Sequence, residues 1–254
     1  MRLIDVSVGF RSRQSEAHIL AKDVNAQLET GRLTCLVGRN GMGKSTLLRT
    51  MAGFQPLLKG EIVVDDNGTS LSKLSNGERS RLVSVVLTGN SDVHGLTVEE
   101  LVGLGRSPYT NFWGNLTESD CRVVDNAMAL TGVTALRKRR VETLSDGERQ
   151  KAMTAKALAQ QTSVMLLDEP TAFLDYPSKV ETLQLLSRLA HKEGKAVLFS
   201  SHDLELAFCY ADVVWQLENG HLIVSEKETV KEELLLAYAS VAPSTSSPSS
   251  FTSS

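Results

Sequence analysis

Leu144-Ser145-Asp146-Gly147-Glu148-Arg149-Gln150 stands between a glycine-rich loop, Gly38-Arg39-Asn40-Gly41-Met42-Gly43-Lys44-Ser45, and an acidic strand end, Leu166-Leu167-Asp168-Glu169. A serine hydroxyl, a bare glycine backbone and a helix N-terminus together make an anion-binding surface. The loop fits G-x-x-x-x-G-K-[ST] with no mismatch, with an apolar strand before it (residues 33–37) and a helix expected after it. Its glycines let backbone N–H groups surround a β-phosphate. Lys44 is placed to reach the β- and γ-phosphates, and the Ser45 hydroxyl to ligate Mg²⁺. A nucleotide triphosphate is therefore expected. Which phosphate the 144–150 element meets is left open by its letters alone.

The strand before Pro170 ends in two adjacent carboxylates, which are costly there unless a cation or a donor waits. Asp168 is placed to hold Mg²⁺ through a water, and Glu169 to orient or deprotonate an attacking water. A second strand end, Phe199-Ser200-Ser201-His202-Asp203, carries a histidine able to hydrogen-bond a γ-phosphate, although a lone histidine there also has a purely structural reading.

Outward from these motifs the chain alternates strand and helix. Residues 3–10 and 24–28 alternate apolar and polar side chains, 60–65 reads as a strand, and 82–87 is apolar apart from Ser84. A helix is expected from Lys44 to about Ala52, with Leu47, Leu48 and Met51 on one face. Thr97-Val98-Glu99-Glu100 starts another helix like a capping box, residues 108–114 form an aromatic-rich loop, and Thr117-Glu118-Ser119-Asp120 starts a further helix. Strands resume at 164–167 and 196–200 around a helix near 179–191, which argues for parallel strands with helical crossovers. From Ser240 the chain is Ser, Thr and Pro, a composition expected to be disordered.

The 254 residues suffice for one large α/β domain, and 41% hydrophobic with 22% charged residues is ordinary for a globular protein. A net charge of −3 offers no basic field, so nucleic acid is not expected as a partner. Cys35, Cys121 and Cys209 have no metal spacing and are expected as reduced thiols in or near the core. Met1-Arg2-Leu3-Ile4-Asp5 has no apolar run after its charge, so no signal peptide is expected, and no window approaches the ~20 apolar residues that span a bilayer. A membrane role must then come through a partner.

The order of these elements, together with Leu174-Asp175 and His202, resembles that of ATP-binding-cassette ATPases over roughly residues 1–235. The resemblance is strongest to the ATPase subunits of importers for iron–siderophore, haem and cobalamin, with Leu101-Val102-Gly103-Leu104-Gly105-Arg106-Ser107-Pro108-Tyr109 carrying much of it. It implies an α/β fold: a P-loop core of that type, an N-terminal antiparallel β portion and an inserted α-helical subdomain at about 96–144, within an ATPase domain over 1–239 followed by a tail over 240–254. It implies ATP and Mg²⁺ as cofactors. Gly38 to Thr46 would hold the phosphates, Ser45 and Asp168 the Mg²⁺, Glu169 would be the catalytic base and His202 the switch residue. Ser145 and Gly147 would contact the γ-phosphate bound to a second copy, and Asp175 would lie in a loop crossing the homodimer interface. Phe10 stands where an aromatic stacks on adenine, a core phenylalanine being the alternative. The partners implied are a transmembrane permease and, indirectly, an extracytoplasmic substrate-binding protein, with the chain peripheral at the cytoplasmic face of the inner (plasma) membrane. An exporter ATPase or a soluble non-transport ATPase of the same class is the alternative.

Leu74-Ser75-Asn76-Gly77-Glu78-Arg79 nearly copies the 144–150 element but precedes the helical block, and reads as a turn and helix start. The basic run Arg137-Lys138-Arg139-Arg140 reads as a solvated helix end. Thr88 replaces the glutamine that the family usually has after the 82–87 strand, where it touches Mg²⁺ and faces the permease; the shorter hydroxyl is expected either to act through water or to leave coupling to another group such as Asn90. A shorter hydroxyl is expected to slow hydrolysis or alter its coupling. Thr88→Gln should therefore change the ATPase or transport rate, and unchanged values of both would dismiss the idea.

Overall fold

Two sheets position everything else, and the computed structural model describes residues 1–10, 18–65, 67–87, 94–111 and 113–227. The smaller sheet is antiparallel, with β1 (Arg2–Phe10) at its centre between β2 (His18–Gln27) and β4 (Lys59–Val63). The larger sheet has the order β5-β6-β7-β3-β8-β9. Its members are β3 (Leu33–Val37), β5 (Val83–Val86), β6 (Val164–Leu167), β7 (Ala196–Ser200), β8 (Val213–Glu218) and β9 (His221–Glu226). The first five run parallel and β9 closes the edge antiparallel to β8.

The parallel strands are apolar on both faces because both are covered. Leu33, Cys35 and Val37 face one core with Met165, Leu167, Val197 and Phe199, while Leu36, Leu166, Leu198 and Trp215 face the other. The second core is closed by Leu47, Leu48 and Met51 of α1 (Lys44–Met51) and by Val6, Val8 and Val24 of the small sheet. Full burial of each such side chain is worth about 1.5–3 kcal/mol. The first core is closed by α3 (Val98–Gly103), α4 (Glu118–Thr131), α5 (Asp146–Ala159), α6 (Tyr176–His191) and α7 (Leu204–Tyr210).

Several boundaries differ from the pattern in the sequence. The strand expected at 24–28 begins at His18, that at 60–65 runs Lys59–Val63, and that at 82–87 is Val83–Val86 because Leu82 ends α2 (Asn76–Leu82). Pro108 and Tyr109 belong to a 3₁₀ turn over Leu104–Tyr109, not to a loop. Only Cys35 is buried, whereas Cys121 and Cys209 are exposed, contrary to the core placement expected of all three. The near copy at Leu74 is a turn and helix start: Ser75 N-caps α2 and Glu78 closes the capping box. The basic run at 137–140 follows a 3₁₀ turn and is tied down rather than free, with Arg137 paired to Glu99 and Asp125, Lys138 to Glu99, and Arg139 to Glu148. Residues 240–254, Thr88 and Asn90 lie outside the described residues.

The stretch between β5 and α5 is anchored by one buried ion pair. Arg106 Nε donates to Asp120 Oδ1 at 2.8 Å with both side chains 7% exposed, and Arg106 Nη1 donates to Ala159 O and Gln161 Oε1. The Tyr109 ring lies 4.1 Å from the Arg106 guanidinium and 5.3 Å from that of Arg81 on α2, which joins the helical stretch to the sheet edge. Bonds from Thr117, then the Arg106 guanidinium, hold the Asp120 carboxyl down at about 2. Because its folded value lies below the unfolded one, this stabilisation is present above about pH 4 and is lost as pH falls toward about 2. Asp120→Ala leaves the buried Arg106 without its counter-charge, so it should lower stability in urea by about 3 kcal/mol at pH 7, with the deficit shrinking between about pH 4 and 2. Equal denaturation midpoints at pH 7 would show that the pair does not anchor this stretch.

Candidate active site

β3 is wholly buried and delivers the chain to the glycine-rich loop, after which α1 begins at Lys44. Gly43, the N-cap, has φ +100°, and a Cβ there would stand 2.8 Å from Leu20 Cβ on β2. Only glycine satisfies both demands. No side chain caps α1, so its first N–H groups remain available to an anion. Lys44 is a buried residue, and its ammonium donates to Gly38 O at 2.8 Å and Arg39 O at 3.4 Å. Burial lowers its pKa, opposed by the charges of Glu169 and Asp168. A cation held this dry is poised to take an anionic partner.

The acidic strand end stands against the same loop. Ser45 Oγ donates to Asp168 Oδ1 at 3.0 Å, and Asp168 N donates to Val86 O at 2.8 Å, continuing the β5–β6 ladder past the strand. Glu169 turns into the left-handed region with φ +47°, and its carboxylate Oε1 contacts His202 Nε2. Ser200 was not singled out by the sequence reading. It is fully buried, accepts from Glu169 N at 2.8 Å and donates to Asp168 Oδ1 at 2.8 Å. Its position becomes meaningful only through the β6–β7 register, in which Leu167 pairs with Phe199.

The expected site residues fall into two groups. Phe10, Asn40, Gly41, Gly43, Lys44, Ser45, Thr46, Glu169 and His202 line one open cleft of about 520 Å³, together with His18 and Leu20 of β2. Asp168 joins them through Ser45, Gly38 and Arg39 contribute carbonyls to Lys44, and Met42 packs on the core. Phe10 is 54% exposed, so the core alternative is overturned. The second group does not line that cleft. Ser145 N-caps α5, accepting from Glu148 N at 3.3 Å, and Asp175 N-caps α6, accepting from Ser178 N at 3.0 Å. A Cβ on Gly147 would lie 3.2 Å from Ser178 Oγ, so the two helix starts meet.

A nucleotide fits the cleft, whose lining combines an exposed aromatic with a lysine and the uncapped N-terminus of α1. The hydroxyl of Ser45 and carboxylate of Asp168 are hard oxygen donors of the kind Mg²⁺ takes alongside phosphates and waters, so they fit that ion too. Among the described residues no helix is long and apolar enough to cross a membrane.

The family profile described as ABC transporter matches residues 21–172. The petrobactin import ATP-binding protein FpuD of Bacillus anthracis is 36% identical over 85% of this chain and 80% of its own length. The cobalamin import ATP-binding protein BtuD of Halobacterium salinarum is 42% identical over 79% of this chain and 49% of its own. Among solved structures, a chain of an ABC transporter described as metal-chelate type, in an inward-facing conformation, superposes with a TM-score of 0.79 at 26% identity, covering 93% of this chain and 86% of that one. With the phosphate loop, the paired carboxylates and the cassette fold in place, these matches establish that the chain belongs to the ABC transporter family as an ATP-binding subunit, with relatives that are named as import ATP-binding proteins.

Proposed function

We propose that two copies of this chain close around two ATP molecules and drive a membrane permease that imports a metal chelate, with iron–siderophore favoured over haem or cobalamin. The observation that carries this reading is the separation of the expected residues into two groups, with Ser145 and Gly147 away from the cleft that holds Lys44. A motif built to bind an anion but absent from its own chain's phosphate cleft is explained if it serves the cleft of a second copy. Asp175, beside Gly147 through Ser178, then belongs to the same contact.

In this reading the backbone from Gly38 to Thr46 and the Lys44 ammonium bind the β- and γ-phosphates, and Phe10 stacks on the base. Ser45 and Asp168 hold Mg²⁺, which would neutralise charge developing on the phosphates. Glu169 takes a proton from the attacking water, and the His202 imidazole, already against that carboxylate, orients it. The chain works from the cytoplasmic face of the membrane through its permease, with an extracytoplasmic binding protein presenting the cargo. The ATPase domain spans 1–239, and the helical block from Leu96 to about Arg140 receives the permease.

Glu169→Gln should lower ATP turnover at least about a hundredfold and accumulate an ATP-bound dimer visible by size exclusion. A monomer at saturating ATP would overturn the two-copy arrangement. Ser145→Arg should abolish hydrolysis while leaving the affinity for a fluorescent ATP analogue within about twofold, because binding and completion of the site lie on different copies. Loss of that affinity would place Ser145 in its own chain's cleft.

A further inference from the structure

Ser200 is the last residue of β7, has no exposed surface, and carries the hydroxyl that joins the two carboxylate-bearing residues of the site. It receives the backbone N–H of Glu169 at 2.8 Å and gives its own proton to Asp168 Oδ1 at 2.8 Å. The same Asp168 oxygen accepts from Ser45 at 3.0 Å, so Asp168 is held from the phosphate-loop side and from the β7 side at once. Glu169 has φ +47°, a conformation a residue with a Cβ keeps only when its surroundings impose it. Its N–H is held by Ser200 Oγ, and the turn that follows is closed by Ala172 N on Glu169 O at 3.0 Å.

We propose that Ser200 is a positioning residue for hydrolysis: one hydroxyl sets the Asp168 carboxylate and the backbone of Glu169 at a fixed distance, and so aims the Glu169 side chain. The inference rests on the role given above to Glu169. Ser200 touches neither nucleotide nor water in this scheme, and it acts by removing the freedom of the two groups that do. A hydroxyl kept only to satisfy a buried polar atom would influence folding, whereas a positioning hydroxyl influences turnover at unchanged binding.

The test uses the full chain and its Ser200→Ala, Ser200→Thr and Glu169→Gln variants, measured in parallel for ATP turnover, affinity for a fluorescent ATP analogue with Mg²⁺, and thermal midpoint. Ser200→Ala should lower kcat about tenfold to a hundredfold, as small misplacements of catalytic groups do, with KM, analogue affinity and midpoint little changed. Ser200→Thr, which keeps the hydroxyl, should recover most of the rate. Turnover by Ser200→Ala equal to that of the unaltered chain, beside an inactive Glu169→Gln, would overturn the positioning role alone. Parallel losses of kcat, affinity and midpoint would overturn it as well, showing a packing defect. Full turnover by Glu169→Gln would overturn the role of Glu169 and this inference with it.

Discussion

The parallel register of β3, β6 and β7 is the constraint on which the site depends. Leu36 pairs with Ser200 and Leu167 with Phe199, so the three strands end level with one another. That alignment puts the phosphate loop, the Asp168–Glu169 pair and the Ser200–His202 stretch on one edge of the sheet, although 162 positions separate Gly38 from Ser200 at the end of β7. A shift of one residue in any strand would turn its buried side chains to the other core and carry its terminal polar groups out of reach. Both faces of these strands are packed, so such a shift is opposed by the whole interior. The polar edge is thus held in place by apolar side chains that never touch it.

The phosphate cleft draws on both sheets. Lys44, Ser45 and Glu169 come from the large sheet and its first helix, while Phe10, His18 and Leu20 come from the small one. Leu20 stands where any side chain on Gly43 would fall, so the small sheet bears directly on the turn that opens α1. Base-side and phosphate-side contacts are therefore not independent. Motion of one sheet against the other would alter both.

What was legible in the sequence was what is local. The glycine-rich loop, the Thr97 capping box, the helix start at Thr117 and the apolar runs of β3, β6 and β7 each depend on neighbours within a few positions, and each stands where its letters place it. Letters also offered two Leu-Ser-x-Gly-Glu-Arg elements, at 74 and 144, and both form capped helix starts; only their order along the chain separates them. Ser200 could not be found this way, because its hydroxyl gains its partners from a strand 32 residues earlier. β8 and β9 were missed because no motif marks them, and the surface placement of Cys121 and Cys209 because a cysteine's burial is decided by the face of a helix and not by its type. The salt links of the 137–140 run escaped for the same reason, since Glu99 lies almost forty positions away.

The two tryptophans have opposite surroundings. Trp215 is fully buried on β8, paired in register with Leu36 of the strand that feeds the phosphate loop. Trp113 is 80% exposed in the loop before α4. The chain thus carries a pair of intrinsic optical reporters, a blue-shifted one inside the sheet and a red-shifted one on the helical stretch. An ionic quencher such as iodide would reach the second and spare the first, so emission from a single unlabelled molecule can tell events at the sheet from events at the helices.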